Sequence, residues 1–514
     1  MKRHDAVIVG GGMGGMIAAN YLAKFGKRTV LLEQNHQPGG NMSGFWRKGF
    51  YFDGGDQSFE SLGIVFPILE DLGVYESDGW TKASFRMSSG DFDFLVNDLD
   101  EVEQSLREAF PREPGIEPLF REIKEVSRFL SRFYNPWEFP VLNDFRVWKL
   151  GAGIPWLRKL KKWSTFEYRK RACSVIENPE LRSWFTNIGY YQMPFLFFAG
   201  FWHIWAKDYW YPRGGMQALH NRLAETYEAR GGEIRYNRLV TRVEHANGEA
   251  KAVFCEGGER FEGKKIIYAG DYKELLRSIL EPELFDRQRR DNLLNTRLTE
   301  EVVSVYLGVK MSSRELSQRL RAHHPFFFPN YDVIFPDARS PRDVHGRMWV
   351  ALNHFGSENP DNAPPGKSSL VLQTYSSFGW QNYWENGSEA YPRREGYKKL
   401  KEQVAGELVR NAESLLPGLS EKIEYQEVGT PLSLRRFTRN TQGSTGGWCY
   451  REDVSPVFRI PRFNMFRTPL RNLYAAGHYS LWPGGVISAA LSGRLVANLV
   501  AERPILSPLG GKSE

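Results

Sequence analysis

The chain has 514 residues and a formal net charge of +7, with 41% hydrophobic and 25% charged residues, which excludes a disordered, fibrous or collagen-like polypeptide. That length exceeds what one hydrophobic core fills, so two lobes sharing a ligand-binding cleft are expected. The three cysteines, Cys173, Cys255 and Cys449, are scattered without the spacing of a zinc site, an iron–sulfur cluster or a redox disulfide, and they suit a reducing, cytoplasmic setting.

Residues 1–5 run straight into an apolar strand, leaving no space for a charged leader and an apolar signal core. The β-branched run 5–10 reads as a strand buried on both faces. Gly10, Gly12 and Gly15 then fit the spacing of a dinucleotide-binding turn. There the first glycine permits a tight turn, the second lets the backbone approach a pyrophosphate, and the third lets helix pack on strand. Residues 16–25 continue as a helix stopped by Gly26, and residues 28–32 form a second strand ending in Glu33, an acid placed to accept hydrogen bonds from an adenosine ribose. Gly39 and Gly40 follow, then Asn41 and the segment 49–55, Gly-Phe-Tyr-Phe-Asp-Gly-Gly.

Residues 145–211 interleave a basic cluster with Trp148, Trp156 and Trp163 and continue through Phe195, Phe197, Phe198, Phe201, Trp202, Trp205 and Trp210. Such a mixture suits peripheral docking on an anionic membrane surface, with ordinary solvated helices as the alternative. No nucleic-acid-binding fold is recognisable, and the most apolar stretch, 193–206, is too short to span a bilayer. Residues 302–309 and 368–375 alternate like strands, and residues 397–416 carry Leu400, Val404, Leu408, Ala412 and Leu415 at helical spacing. His323 and His324 lack companions at ligand spacing, so no metal site is expected. Towards the C-terminus, 472–477 reads as a strand ending at Gly477. Residues 482–486 open a helix that runs to 500, with small residues Ala489, Ala490, Ser492, Gly493 and Ala497 on one face. Its N-terminus would present free amides that favour negative charge on a bound ligand.

Several segments together resemble the phytoene desaturase, carotenoid isomerase and retinol saturase family of flavoproteins, within the group that shares the amine-oxidase-like FAD fold. They are the Gly39-Gly40 pair, the 49–55 segment, Tyr-Pro-Arg-Gly-Gly-Met at 211–216, Gly-Gly-Glu-Ile at 231–234, the Arg435 to Trp448 segment and the C-terminal glycines. The resemblance covers nearly the whole chain. It implies an α/β Rossmann-like FAD domain with a mixed α+β substrate domain. The FAD domain is expected from residues 1–62, 208–290 and 465–514, and the substrate lobe from 63–207 and 291–464. Gly10, Gly12, Gly14, Gly15, Glu33, Gly39, Gly40, Asn41, Gly55, Val240, Gly477, Gly485 and Val486 would bind FAD, with Val240 offering its backbone to the adenine. Two positions depart from the pattern: Asn41 stands where many relatives have Arg, and His478 where an acid often follows the C-terminal glycine.

The implied reaction is desaturation, saturation or cis–trans isomerisation of carbon–carbon double bonds in a long apolar polyene or isoprenoid, with electrons exchanged with an external donor or acceptor. Asp56, His478, Tyr479 and Trp482 follow the motifs that would approach the flavin and are the candidate catalytic residues; Asp56 and His478 could move protons. An amine-oxidase-like flavoenzyme and a non-catalytic prenyl- or lipid-binding escort protein are the competing readings.

Overall fold

The structure is a computed structural model that describes residues 4–138, 154–190, 192–331, 348–450, 466–481 and 484–505. Trp482, Arg146, Trp148 and Lys149 lie outside the described residues.

The first strand, His4–Val9, lies between Thr29–Leu32 and Arg260–Tyr268, and all three run parallel. Glu233–Arg235 extends the sheet beyond the second strand and Leu473–Ala475 beyond Arg260–Tyr268, again in parallel. Both faces of the first strand are covered, which is why residues 6–9 are continuously apolar rather than alternating. Ala6 and Ile8 pack with the helices Met13–Lys24 and Val486–Val500, whereas Val7 and Val9 pack with Val243, Val253 and Leu275. The second layer is an antiparallel meander of Val240–Ala246 and Glu249–Cys255. It joins the sheet through Arg260–Tyr268, whose first residues pair with the meander and whose last pair with His4–Val9.

The small-residue face of Val486–Val500 lets two helices touch closely. A Cβ on Gly493 would lie 2.4 Å from the Gly14 carbonyl oxygen, and one on Gly14 would lie 2.6 Å from Gly477 Cα. Gly15 is equally constrained by packing, since its Cβ would sit 1.9 Å from Gly10 O.

The second sheet has the order Ile423–Gly429, Glu301–Val309, Ser368–Ser376, Val350–Asn353, His324–Phe327, Phe85–Ser88, Asp93–Leu95. One face carries Val303, Val305, Leu307, Leu370 and Leu372 against Leu400, Val404 and Leu408 of helix Glu395–Ala412, the amphipathic helix anticipated from spacing. The opposite face presents residues two apart along several strands: Phe85 and Met87, Ala351 and Asn353, Gln373 and Tyr375. These form a wall of a cavity. The helices Pro179–Asn187 and Phe195–Lys207 close over it, and Ile116–Phe133 packs against the latter.

The aromatic segment is mostly interior, contrary to the expectation of a surface belt. Trp163, Phe195, Phe198 and Trp202 are buried, because Phe195–Lys207 is apolar nearly all round and packs against Ile116–Phe133. Several of the cations pair with carboxylates: Lys159 with Glu125, and Lys162 and Arg171 with Glu122 at 3.4 and 3.1 Å. Among the described residues no helix is long and apolar enough to cross a membrane.

Candidate active site

A cleft opens along the edge of the parallel sheet where its strands meet the glycine turns. Gly10, Gly12, Gly14, Glu33, Gly39, Gly40, Asn41, Val240, Gly477, His478, Gly485 and Val486 all line it, although they come from four separate stretches of chain. Gly10, Gly39, Gly40, Gly477 and Gly485 hold positive φ, which a side chain would strain. Gly12 differs: its φ of −74° suits any residue, and a Cβ there would meet only Gly40 Cα, at 4.0 Å, on the cleft wall.

The cleft fits a dinucleotide with a pyrophosphate. The 12-residue helix Met13–Lys24 and the 15-residue helix Val486–Val500 both begin at it, with Gly12 and Gly485 as N-caps and no side-chain cap on either. First-turn amides and the positive end of each helix dipole therefore face a space where negative charge is stabilised. Glu33 is fixed by Gly11 N donating to Oε2 at 2.7 Å and Asn35 N donating to Oε1 at 2.8 Å. Asn41 donates from Nδ2 to Thr445 O at 2.6 Å, while its buried Oδ1 has no partner among the described residues.

Two motif segments are joined beneath the cleft by Asp53, whose carboxylate accepts from Tyr51 Oη (2.6 Å), Tyr211 Oη (2.7 Å) and Met216 N (3.0 Å). Burial raises its pKa to about 6 despite those bonds.

Asp56 and Thr445 line both this cleft and a second cavity, so the two spaces meet at these residues. Phe85, Tyr190, Trp205, Phe326, Trp349 and Tyr375 make the second cavity largely aromatic. Its polar content is unusual for an apolar pocket. Burial pushes the Asp56 carboxyl up to about 8, with the charges of Glu300 and Glu60 adding to the shift, and burial raises Glu60 to about 7. Glu300 is raised by burial too, and accepts from Tyr190 Oη at 2.8 Å. Ser58 Oγ and His324 Nε2 are 2.7 Å apart in the same wall.

These raised carboxyls make stability fall towards alkaline pH. Their folded pKa values of about 8 and 7 lie above the unfolded values near 4. The stabilisation relative to the unfolded chain is therefore complete below about pH 4 and is lost as pH rises through 7 to 8. Melting temperature is expected to drop between about pH 4 and about pH 8, and Asp56→Asn to flatten that drop. Parallel curves for the variant and the native protein would contradict the assignment.

The other candidates divide. His478 lines the cleft and is held neutral, burial lowering its pKa to about 4. Tyr479, expected at the reacting centre, is instead core: it is 1% exposed, donates to Asp271 Oδ2 at 3.0 Å and receives Trp448 Nε1 on its carbonyl oxygen at 2.7 Å. Gly55 lines the aromatic cavity rather than the cofactor cleft, and a Cβ there would lie 2.4 Å from Asn41 O. Sequence reasoning missed Gln57, Tyr190 and Glu300 in the aromatic cavity and Arg439 in the cleft. Gln57 and Arg439 adjoin or lie within quoted segments, so proximity to a motif was their signal; Tyr190 and Glu300 had none.

Residues 13–501 match the model of the flavin containing amine oxidoreductase family. The chain belongs to that family. Its cofactor is FAD, and its fold is the amine-oxidase type that the family resemblance implied. The chain is 25% identical to the inactive all-trans-retinol 13,14-reductase of Danio rerio, covering 97% of this chain and 86% of the relative. It is 26% identical to the chloroplastic prolycopene isomerase of Arabidopsis thaliana, covering 97% and 82%. The solved structure of cyclohexylamine oxidase from Brevibacterium oxydans IH-35A superposes with a TM-score of 0.59 at 15% identity, covering 98% of this chain and 99% of that one, a likeness of fold.

Proposed function

We propose that this FAD-dependent oxidoreductase acts on carbon–carbon double bonds of a long apolar polyene or isoprenoid. The observation that carries the reading is the aromatic cavity meeting the cofactor cleft at Asp56 and Thr445. Similarity to relatives named as an all-trans-retinol 13,14-reductase and a prolycopene isomerase supports it over the amine reading. Bound FAD supplies hydride exchange. The aromatic walls exclude water and grip the chain through ring contacts. Asp56, protonated near neutral pH, holds a proton at its carboxyl oxygen where the two spaces join. His478 is neutral and contributes no charge to the cleft.

Electrons come from or go to an external partner, since a single dinucleotide fingerprint is present and FAD takes it. Peripheral docking on an anionic lipid surface belongs to the same reading. It rests on exposed Leu157 and Phe166 beside Arg158 and Lys161, which are exposed and have no carboxylate partner among the described residues.

The test is anaerobic incubation of the holoenzyme with cis and all-trans polyenes, with dithionite, NADH or NADPH as reductant, followed by chromatography and mass analysis. A product changed in double-bond geometry or hydrogen content is expected, with nicotinamides reducing the flavin slowly. Rapid flavin reduction by short amines, with no polyene altered, would overturn the reading.

A further inference from the structure

The aromatic cavity contains more hydrogen-bonding capacity than a hydrocarbon substrate could satisfy. Asp56 and Gln57 have no side-chain hydrogen bond among the described residues. Gln57 is 7% exposed and its Nε2 is buried without a partner, as is Glu300 Oε2. All three side chains line one cavity, and Asp56 stands at its junction with the cofactor cleft. Filling that space with hydrocarbon alone would leave these groups unsatisfied.

Resting on the polyene reading above, we infer that the substrate ends in a conjugated carbonyl whose oxygen is received by Asp56, Gln57 and Glu300. The Gln57 amide nitrogen is a donor and needs an acceptor. No Lys or Arg lies among the cavity's described lining residues, and burial raises the pKa of both Asp56 and Glu300, which favours the protonated form that donates. Tyr190 Oη already occupies Glu300 Oε1, leaving Oε2 as the open position. An ammonium group would satisfy the carboxyls but would face the Gln57 amide hydrogens. Donors gathered on a conjugated carbonyl oxygen also withdraw electron density along the chain, which weakens the neighbouring double bonds nearest the cofactor cleft. A buried protonated carboxyl used as a donor has precedent in proton-transfer chemistry at carbon.

The test uses the FAD-loaded protein and four probes with one tetraene skeleton, terminated as a methyl ketone, an alcohol, an amine or a hydrocarbon. A ketone is chosen because it condenses poorly with lysine. Binding is read from quenching of tryptophan fluorescence, and carbonyl polarisation from the ketone's absorption band. The ketone is expected to bind about tenfold or more tighter than the hydrocarbon, with a red-shifted band. Gln57→Leu and Glu300→Leu should each abolish most of that preference with the flavin spectrum unchanged, while Glu300→Gln, which still donates, should retain it. If Gln57→Leu fails to fold, the two Glu300 variants decide. Hydrocarbon binding as tight as ketone, or the amine binding tightest, overturns the inference; in the hydrocarbon case the polyene reading still stands. Failure of all four probes to bind overturns both.

Discussion

Gly12→Val yields a folded protein that no longer carries flavin. A valine fits the local φ of −74°, and its Cβ meets no backbone closer than Gly40 Cα at 4.0 Å, so the chain accepts it. The branched methyls then project into the cleft at the start of helix Met13–Lys24, where a pyrophosphate would otherwise reach the first-turn amides. The ratio of flavin to protein absorbance should fall about tenfold or more, equivalent to a loss of at least ~1.4 kcal/mol, with the far-ultraviolet circular dichroism unchanged. Gly15→Val is the contrasting variant. Its Cβ would collide with Gly10 O at 1.9 Å, so it should lose fold and flavin together. A flavin-loaded Gly12→Val protein would show that the cofactor's pyrophosphate does not approach this turn.

Asp56→Asn is expected to lower turnover by about 10²-fold or more while FAD remains bound. Asparagine can still hydrogen-bond at the junction of the two cavities but cannot give up a proton. The native rate should decline above about pH 8, where the raised Asp56 carboxyl ionises, and the residual rate of the variant should lose that limb. Steady-state rates across pH with flavin content measured in parallel provide the check. Native-like turnover in the variant would reduce Asp56 to a wall residue.

The cofactor cleft was readable in the sequence because close backbone approach permits little besides glycine, and glycines in a strand–turn–helix context stand out. Packing glycines and cleft glycines, however, look alike in a string. Gly12 and Gly15 share one motif, yet the first borders open space and the second abuts Gly10. Proximity to a motif was a weaker guide: Tyr479 directly follows cleft-lining His478, but its side chain turns into the core to reach Asp271. The aromatic segment was ambiguous for a similar reason, since composition does not say which face of a helix is covered. Glu300 was illegible because it precedes Glu301 at the start of a strand, where two acids ordinarily meet solvent. Only the order of the second sheet, with the covering helices, turns Glu300 inward towards Tyr190.

The distribution of the cleft along the chain bears on biogenesis. Its walls include residues near positions 10, 40, 240, 270, 440 and 480, and the parallel strand Leu473–Ala475 and helix Val486–Val500 complete one side. A ribosome-bound chain that has emerged only as far as the second sheet has an unpaired strand edge at Arg260–Tyr268 and half a nucleotide site. Flavin capture is therefore a late event in synthesis, and the contacts that close the site span hundreds of residues, the kind of topology that folds slowly and exposes strand edges to aggregation meanwhile. Supply of flavin during expression, rather than after it, should then govern how much soluble protein is recovered.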